Sequence, residues 1–388
     1  MGIDAVMRAS RRTGPALFGL GTFWGAFAAF IPDYKLRAGV EDGLFGAMLL
    51  ASALGGVVAM ALVARITARL GARALSVLAV ALALAALAPL AIGSAATLAL
   101  ALFVMGAAMS ALDIAANVEI SEAEHDTGLP LMNGNHALFS FGLGGAALLV
   151  GGWRSAGGAP ETVQPLLALG LLALAWRLRA GSAAPMPAVQ EAPGARVGAP
   201  WRVVLPAAVI LFAAFVTENT TETWSALYLE RGLGAALGAG ALGPAVFGLV
   251  MGLFRLGGQM LASRLGEARL VAFSAALGVL GAVLAALAQS LPLAVLGLGL
   301  IGIGAAVAVP STNALLCQRV TRAERARALS RAWMIGFSGF FIGPVAMGAL
   351  AEGIGLRGIF LSLALVLAMI GPGLAALLRV PRCRLAQA

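Results

Sequence analysis

"ARITARLGARAL", Ala64 to Leu75, and "QMLASRLGEARL", Gln259 to Leu270, stand 195 residues apart and share one plan. Each sets a short basic turn, Arg-Leu-Gly, between two long apolar runs. A second pair repeats at an offset of 196: "GAAMSALDIAAN", ending at Asn117, and "GIGAAVAVPSTN", ending at Asn313. Each match is weak alone, but their agreement in offset, element and membrane side makes coincidence a poor account. The period is half of a 388-residue chain. Parallel six-helix repeats related by an axis along the membrane normal describe one class of secondary transporter.

Composition agrees. Charged types make up 11% of the residues and hydrophobic types 61%, with a mean hydropathy of +0.96. A soluble domain carries about a quarter charged residues, so the chain reads as a membrane protein. Its 51 glycines suit helices packed closely in lipid. The net charge of +9 does not point to nucleic acid, because the arginines sit in short clusters between apolar runs. Cys317 and Cys383 offer neither metal spacing nor a disulfide framework. No cleavable signal segment is expected at the start, since the first apolar run is followed by many more.

A crossing helix needs about 20 mostly apolar residues. Cutting at charged or Pro/Gly-rich breaks gives twelve spans: 14–32, 40–63, 74–92, 95–119, 131–152, 162–180, 202–229, 239–262, 269–288, 291–317, 329–351 and 355–379. Charge tests that count. With a cytoplasmic N-terminus, twenty basic residues fall on the cytoplasmic side. Five, Lys35, Arg37, Arg154, Arg231 and Arg357, fall opposite, and Arg255 stays inside a helix. Such asymmetry is the positive-inside pattern, and it puts both termini in the cytoplasm. The Pro/Gly/Ala-rich stretch 181–200 reads as a flexible linker. The expected architecture is therefore an all-α polytopic membrane protein with twelve transmembrane helices in two six-helix repeats. Its halves are residues 1–180 and 201–388.

At this point the chain resembles the major facilitator superfamily over almost its whole length. The family's turn after helix 2 reads Gly-x-x-x-Asp-Arg-x-Gly-x-Arg. Here Arg69, Gly71 and Arg73 are kept, while Ala64 and Ala68 replace the first glycine and the acid. The second copy keeps Arg264 and Gly266, with Gln259 and Ser263 at the other two positions. The resemblance implies a gating role for Arg69, Gly71, Arg73, Arg264 and Gly266, without the acid of the charge relay. Two further stretches, Asp113 to Gly145 and Glu218 to Gly232, are similar to a bacterial branch related to the fucose permeases. The shared features are Asp113 with Asn117, His136 before Phe139-Ser140, and Glu218 followed by Trp224-Ser225 and Tyr228-Leu229. That likeness implies a proton-coupled carrier in a bacterial inner membrane, for sugars or other polar solutes.

Polar groups at membrane depth are costly and mark sites or paths. Glu218 lies 16 residues past Arg202, roughly 24 Å along the helix. Glu222 follows one turn outward, and Thr221 and Ser225 extend the stripe. Glu218, Glu222 and Asp113 are the candidates for proton coupling. Glu222 has a second reading as an acid already in the outer interface. Trp24, Asn117, His136, Glu218, Trp224, Arg255 and Asn313 are the candidates for solute binding. Several of these have structural readings too. Asp113 and Asn117 can cap a network with Asn133, Asn135 or His136. Arg255 can be a counter-ion to Glu218, Glu222 or Asp113, or hold an anionic solute. Trp24 and Trp224 can face a cavity or pack.

No phosphate-cradling Gly-Lys-Ser/Thr loop occurs, so ATP is not the expected driver. His125 and His136 lack a third metal ligand, and no activated nucleophile is evident, so no enzyme, catalytic residue, metal or cofactor is expected. The expected partners are a small solute, protons and the bilayer, with one chain sufficient to form the path as a monomer. Uptake of a polar or sugar-like solute is the leading function. Proton-driven efflux of a metabolite or amphiphilic drug is the alternative.

Overall fold

The computed structural model describes residues 3–179 and 200–383. The linker read at 181–200 lies outside these except for Pro200, as do Arg196 and Arg384. Every regular element among the described residues is helical. Nine stretches are long and apolar enough to cross a membrane. Two of them, Asp42–Ala91 and Arg325–Leu378, have 50 and 54 residues, more than twice what one crossing uses. Each is a pair of crossings, turned at Gly71 and at Gly355. Adding the 19-residue helix Pro160–Leu178 gives twelve crossings. An even number leaves both described ends on one face, called here the terminal face.

In chain order the crossings are α1 (Thr13–Ala38), α2 (Asp42–Leu70), α3 (Ala74–Ala85, with a 3-10 turn Ala88–Ala91) and α4 (Ala95–Thr127). Then come α5 (Met132–Ser155), α6 (Pro160–Leu178), α7 (Trp201–Leu227), α8 (Leu242–Leu265) and α9 (Glu267–Leu287). Crossing α10 has two pieces, Leu291–Ala306 and Ala308–Cys317, offset at Val307 three residues before Pro310, which has no N–H for the ladder. Crossing α11 joins Arg325–Phe337 to residues 339–354. Gly355, at φ 77°, ends it, and α12 follows over 356–368 and Ile370–Leu378.

Local chemistry sets these boundaries. Ser94 and Thr97 form a reciprocal capping box that starts α4, and Gly128 ends it in the left-handed region. The helix runs about two turns past its expected end at 119, so Glu122, Glu124 and Asp126 are helical and do not form a loop. Glu124 explains part of this. Its Oε1 accepts the backbone N–H groups of Leu131 and Met132 at 2.6 and 2.8 Å, satisfying two orphan donors where α5 begins. At the two repeated turns, Gly71 (φ 52°) and Gly266 (φ 80°) adopt backbone that favours glycine, which accounts for the glycine in each Arg-Leu-Gly.

The repeat is visible in the packing. Within the first six helices, α1 packs on α5, α2 on α4 and α3 on α6. The second six copy this as α7 on α11, α8 on α10 and α9 on α12. Two seams then join the sets, α5 against α8 and α2 against α11, and the repeat interchanges them. Both seams are lined by glycine. A Cβ on Gly46 would stand 2.7 Å from the Gly348 Cα, and one on Gly248 2.9 Å from the Gly144 backbone nitrogen. Backbones approach closely there, as small residues allow in lipid.

Candidate functional site

The stripe on α7 lies in the middle of the bundle, between the seams. Thr217 and Thr221 turn their hydroxyls back onto the carbonyls of Ala213 and Thr217, so they take no part in outward bonding. The two acids do. Glu218 Oε1 meets the guanidinium of Arg255 on α8 at 2.9 Å. Of the three acids the sequence offered Arg255, Glu218 is thus its partner. Arg255 also donates to Ser140 Oγ on α5, 3.1 Å away, and so ties the second six helices to the first.

From Ser140 the polar chain continues through the first six helices. Its hydroxyl donates to the His136 carbonyl at 3.0 Å. The ring Nε2 of His136 lies 3.0 Å from Asn117 Oδ1 on α4, which makes that nitrogen the donor. Asn117 in turn donates its amide to Asp113 Oδ1 at 3.0 Å and to the Asp113 carbonyl at 2.9 Å. Asp113, Asn117, His136, Ser140, Arg255 and Glu218 therefore form one connected array across the α5–α8 seam. Asn135, offered by the sequence as another partner, bonds instead to Thr13 and Ser10. Asn133 lines a cavity.

Glu222 is buried, 7% exposed, and accepts Trp24 Nε1 from α1 at 2.8 Å. Its position between the two sets of helices excludes the outer-interface reading. An acid buried in a low-dielectric core is expensive unless paired or hydrogen-bonded, and the indole is the bond it has. Trp24 itself stacks on Phe27, which stacks on Tyr34. Trp224 lies fully buried in packing, edge-on to Phe45 of α2 at 5.5 Å, with its Nε1 unpartnered. Asn313 on α10 accepts Trp333 Nε1 of α11 at 3.0 Å. Phe215 gathers Trp333, Phe337 and Phe340 around it at 5.1 to 5.8 Å, forming an aromatic wall one turn from Glu218.

A cavity of about 390 Å³ opens at the terminal face, lined by Asn133, Glu124, Arg255, Gly258, Pro310 and Ser311 among others. It draws on both sets of helices, and Arg255 contributes to its wall. That volume suits a small solute.

The opposite, far face is shut by charge. Arg154 on α5 is buried and holds Asp33 of α1 at 2.6 Å and Glu230, just past α7, at 2.5 Å. Asp42 of α2 takes Lys35 and Arg231, each at 2.8 Å. Both clusters cross between the sets of helices. At the terminal face, Arg12 pairs with Glu119 at 3.1 Å and donates to the Ala72 carbonyl, all within the first six helices. Arg69, Arg73 and Arg264 are exposed and have no ion-pair partner among the described residues. Sequence reasoning missed the far-face clusters and the Arg12–Glu119 contact. Basic residues on the sparsely charged side were a usable signal, since four of those five are paired.

Known proteins resemble this chain in sequence and in fold. An uncharacterised MFS-type transporter of Yersinia pestis is 32% identical over 344 residues, covering 87% of each chain. The chain belongs to the major facilitator superfamily. The family model, described as Major Facilitator Superfamily, matches residues 223–384. An uncharacterised transporter of Sinorhizobium fredii is 29% identical over 90% of this chain and 94% of its own. Among solved structures, a mutant form of the nucleoside transporter NupG superposes with a TM-score of 0.74 at 15% identity, over 95% of this chain and 99% of its own. A bacterial homologue of the lysosomal transporter Spinster, in an inward-facing and unoccupied conformation, gives 0.66 at 13% identity, over 98% of both chains. These likenesses establish a major facilitator fold and a membrane-embedded transporter that is not an enzyme.

Proposed function

We propose that this major facilitator is a proton-coupled secondary transporter that takes up a small polar or sugar-like solute across a bacterial inner membrane. The observation that carries this reading is the array from Asp113 to Glu218, which crosses a seam that alternating access must loosen. One guanidinium faces two carboxylates one turn apart. Arg255 balances Glu218, and the charge of Glu222 is balanced only when a proton joins the pair. Separating the two sets of helices takes Ser140 away from Arg255 across α5 and α8, and Trp24 away from Glu222 across α1 and α7, so the proton count of the cluster and the orientation of the halves are linked. Residues 1–180 and 201–388 are the bodies that rock, with 181–200 as their tether. The terminal face is cytoplasmic, on the charge asymmetry, so the far-face ion pairs close the outside and the cavity opens inward.

Solute would meet Asn117, His136 and Arg255 on one side, and Asn313 with the Phe215–Trp333 wall on the other. Aromatic faces suit the apolar sides of sugar rings. The likeness to the fucose-permease branch supports a sugar-like solute, and the NupG likeness adds nucleosides to the panel worth testing. The aromatic wall also favours a second reading, efflux of an amphiphilic compound.

The test uses membrane vesicles, an imposed pH gradient and that solute panel. Glu218→Gln is expected to abolish gradient-driven accumulation while solute counterflow survives. Undiminished accumulation in that variant removes Glu218 from the proton path. A wild-type chain that moves no solute with or against protons overturns coupling altogether.

A further inference from the structure

A second cavity, of about 320 Å³, lies at the terminal face between α3 and α6, away from both seams. Arg73, Ser76, Val77, Val80 and Arg179 line it. Both arginines line this one space, and neither has an ion-pair partner among the described residues. Arg179 follows the last turn of α6, where unpaired carbonyls favour a cation. Its guanidinium also rests 4.9 Å from the ring centre of Trp176, a side chain 72% exposed on the outside of the bundle. Ser76 is spent elsewhere, donating to the Ala175 carbonyl at 2.6 Å and clamping α3 to α6. Away from the arginines the cavity wall becomes Val77 and Val80, both exposed, and continues as the lipid-facing surface of α3.

We propose that this cavity binds an anionic phospholipid of the surrounding bilayer. The phosphate sits between Arg73 and Arg179, and an acyl chain runs along Val77 and Val80. Two arginines at one cavity suit a phosphate because each guanidinium presents a planar fork of donors to its oxygens. Trp176 stands at the headgroup level, where amphipathic rings concentrate. The apolar continuation selects a lipid over free phosphate, and a basic pocket between transmembrane helices is a known way to hold such headgroups. Arg73, which the family resemblance assigns to gating, here faces α6 of its own half and not the second half.

Native mass spectrometry of the full purified chain, titrated with phosphatidylglycerol or phosphatidylcholine, tests this directly. The wild type is expected to retain at least about fivefold more phosphatidylglycerol, an effect that one or two good charge-assisted contacts supply. The double variant Arg73→Gln/Arg179→Gln is expected to lose the preference. Arg65→Gln/Arg69→Gln, which removes two exposed arginines outside the cavity, is expected to keep it. An unchanged preference in the first variant, or an equal loss in both, overturns the site. Displacement of phosphatidylglycerol by millimolar inorganic phosphate also overturns it, in favour of a free-anion site. Should the first variant not fold, Val77→Trp fills the groove and leaves both arginines. Retained phosphatidylglycerol in that protein counts against the proposal.

Discussion

The two faces of the molecule carry opposite kinds of charge chemistry. At the far face basic residues are few, and most are spent on ion pairs: Arg154 with Asp33 and Glu230, Lys35 and Arg231 with Asp42. At the terminal face arginines are many, and those such as Arg69, Arg264 and Arg322 stand exposed without ion-pair partners among the described residues. The ion pair seen there, Arg12–Glu119, does not cross between the halves. Number and role thus run in opposite directions. Abundant arginine orients the chain in the membrane; scarce, buried and paired arginine holds its halves together.

That contrast can be broken most sharply at Arg154. Arg154→Met removes the cation and leaves Asp33 and Glu230 facing each other. Losing one partner of a buried pair costs about 3–5 kcal/mol, less here because Asp33 is partly solvated. The expected outcome is a far face that opens, read as a wider distance between spin labels at the ends of α1 and α7. An unaltered distance distribution would mean that the glycine seams alone hold the closed face. Arg255 gives the next largest effect. Arg255→Met strands Glu218 in the core, and adding Glu218→Gln should recover much of the lost thermal stability. A coupling of about 2 kcal/mol is expected in the resulting double-mutant cycle; strict additivity would mean that the pair is a bystander.

Trp24→Phe keeps the stack on Phe27 but removes the donor to Glu222. A hydrogen bond to an uncharged acceptor is worth about 0.5–1.5 kcal/mol. The balance between orientations should therefore shift by about threefold or more, as read by the rate of cysteine labelling inside the cavity. No shift in that rate would leave Glu222 without a link to the seam. The smallest effect belongs to the terminal face. Arg322→Gln should leave transport and the melting temperature unchanged, and a clear loss in either would erase the distinction between the two faces.

Much of the fold was legible because it follows from one-dimensional rules. Apolar runs of bilayer length place the helices, and the Arg-Leu-Gly turns mark a repeat that the packing of α1–α5 and α7–α11 reproduces. The tail of α4 beyond the expected end at 119 was not legible, because its acids lower the hydropathy while Glu124 caps the start of the next helix. In the site, depth along α7 marked Glu218 as a candidate, and the need of Arg255 for a counter-ion named it alongside Glu222 and Asp113. The bond between Trp24 and Glu222 could not be read in the same way. It joins residues 198 positions apart through a register between helices that no local spacing encodes. The far-face clusters escaped for the same reason, since Arg154 finds Glu230 only through the seam of α5 and α8.

The glycine seams have a kinetic consequence. Where Gly46 meets Gly348, only backbone atoms stand in the way of one helix turning on the other, whereas Leu143 and Leu249 flank the contact of Gly144 with Gly248. A seam of leucines would have to pass through strained rotamers to reopen, and each such step would raise the barrier. Here the contact of α2 with α11 acts as a smooth bearing. The resistance to turning then rests more on the polar contacts that join the two sets of helices.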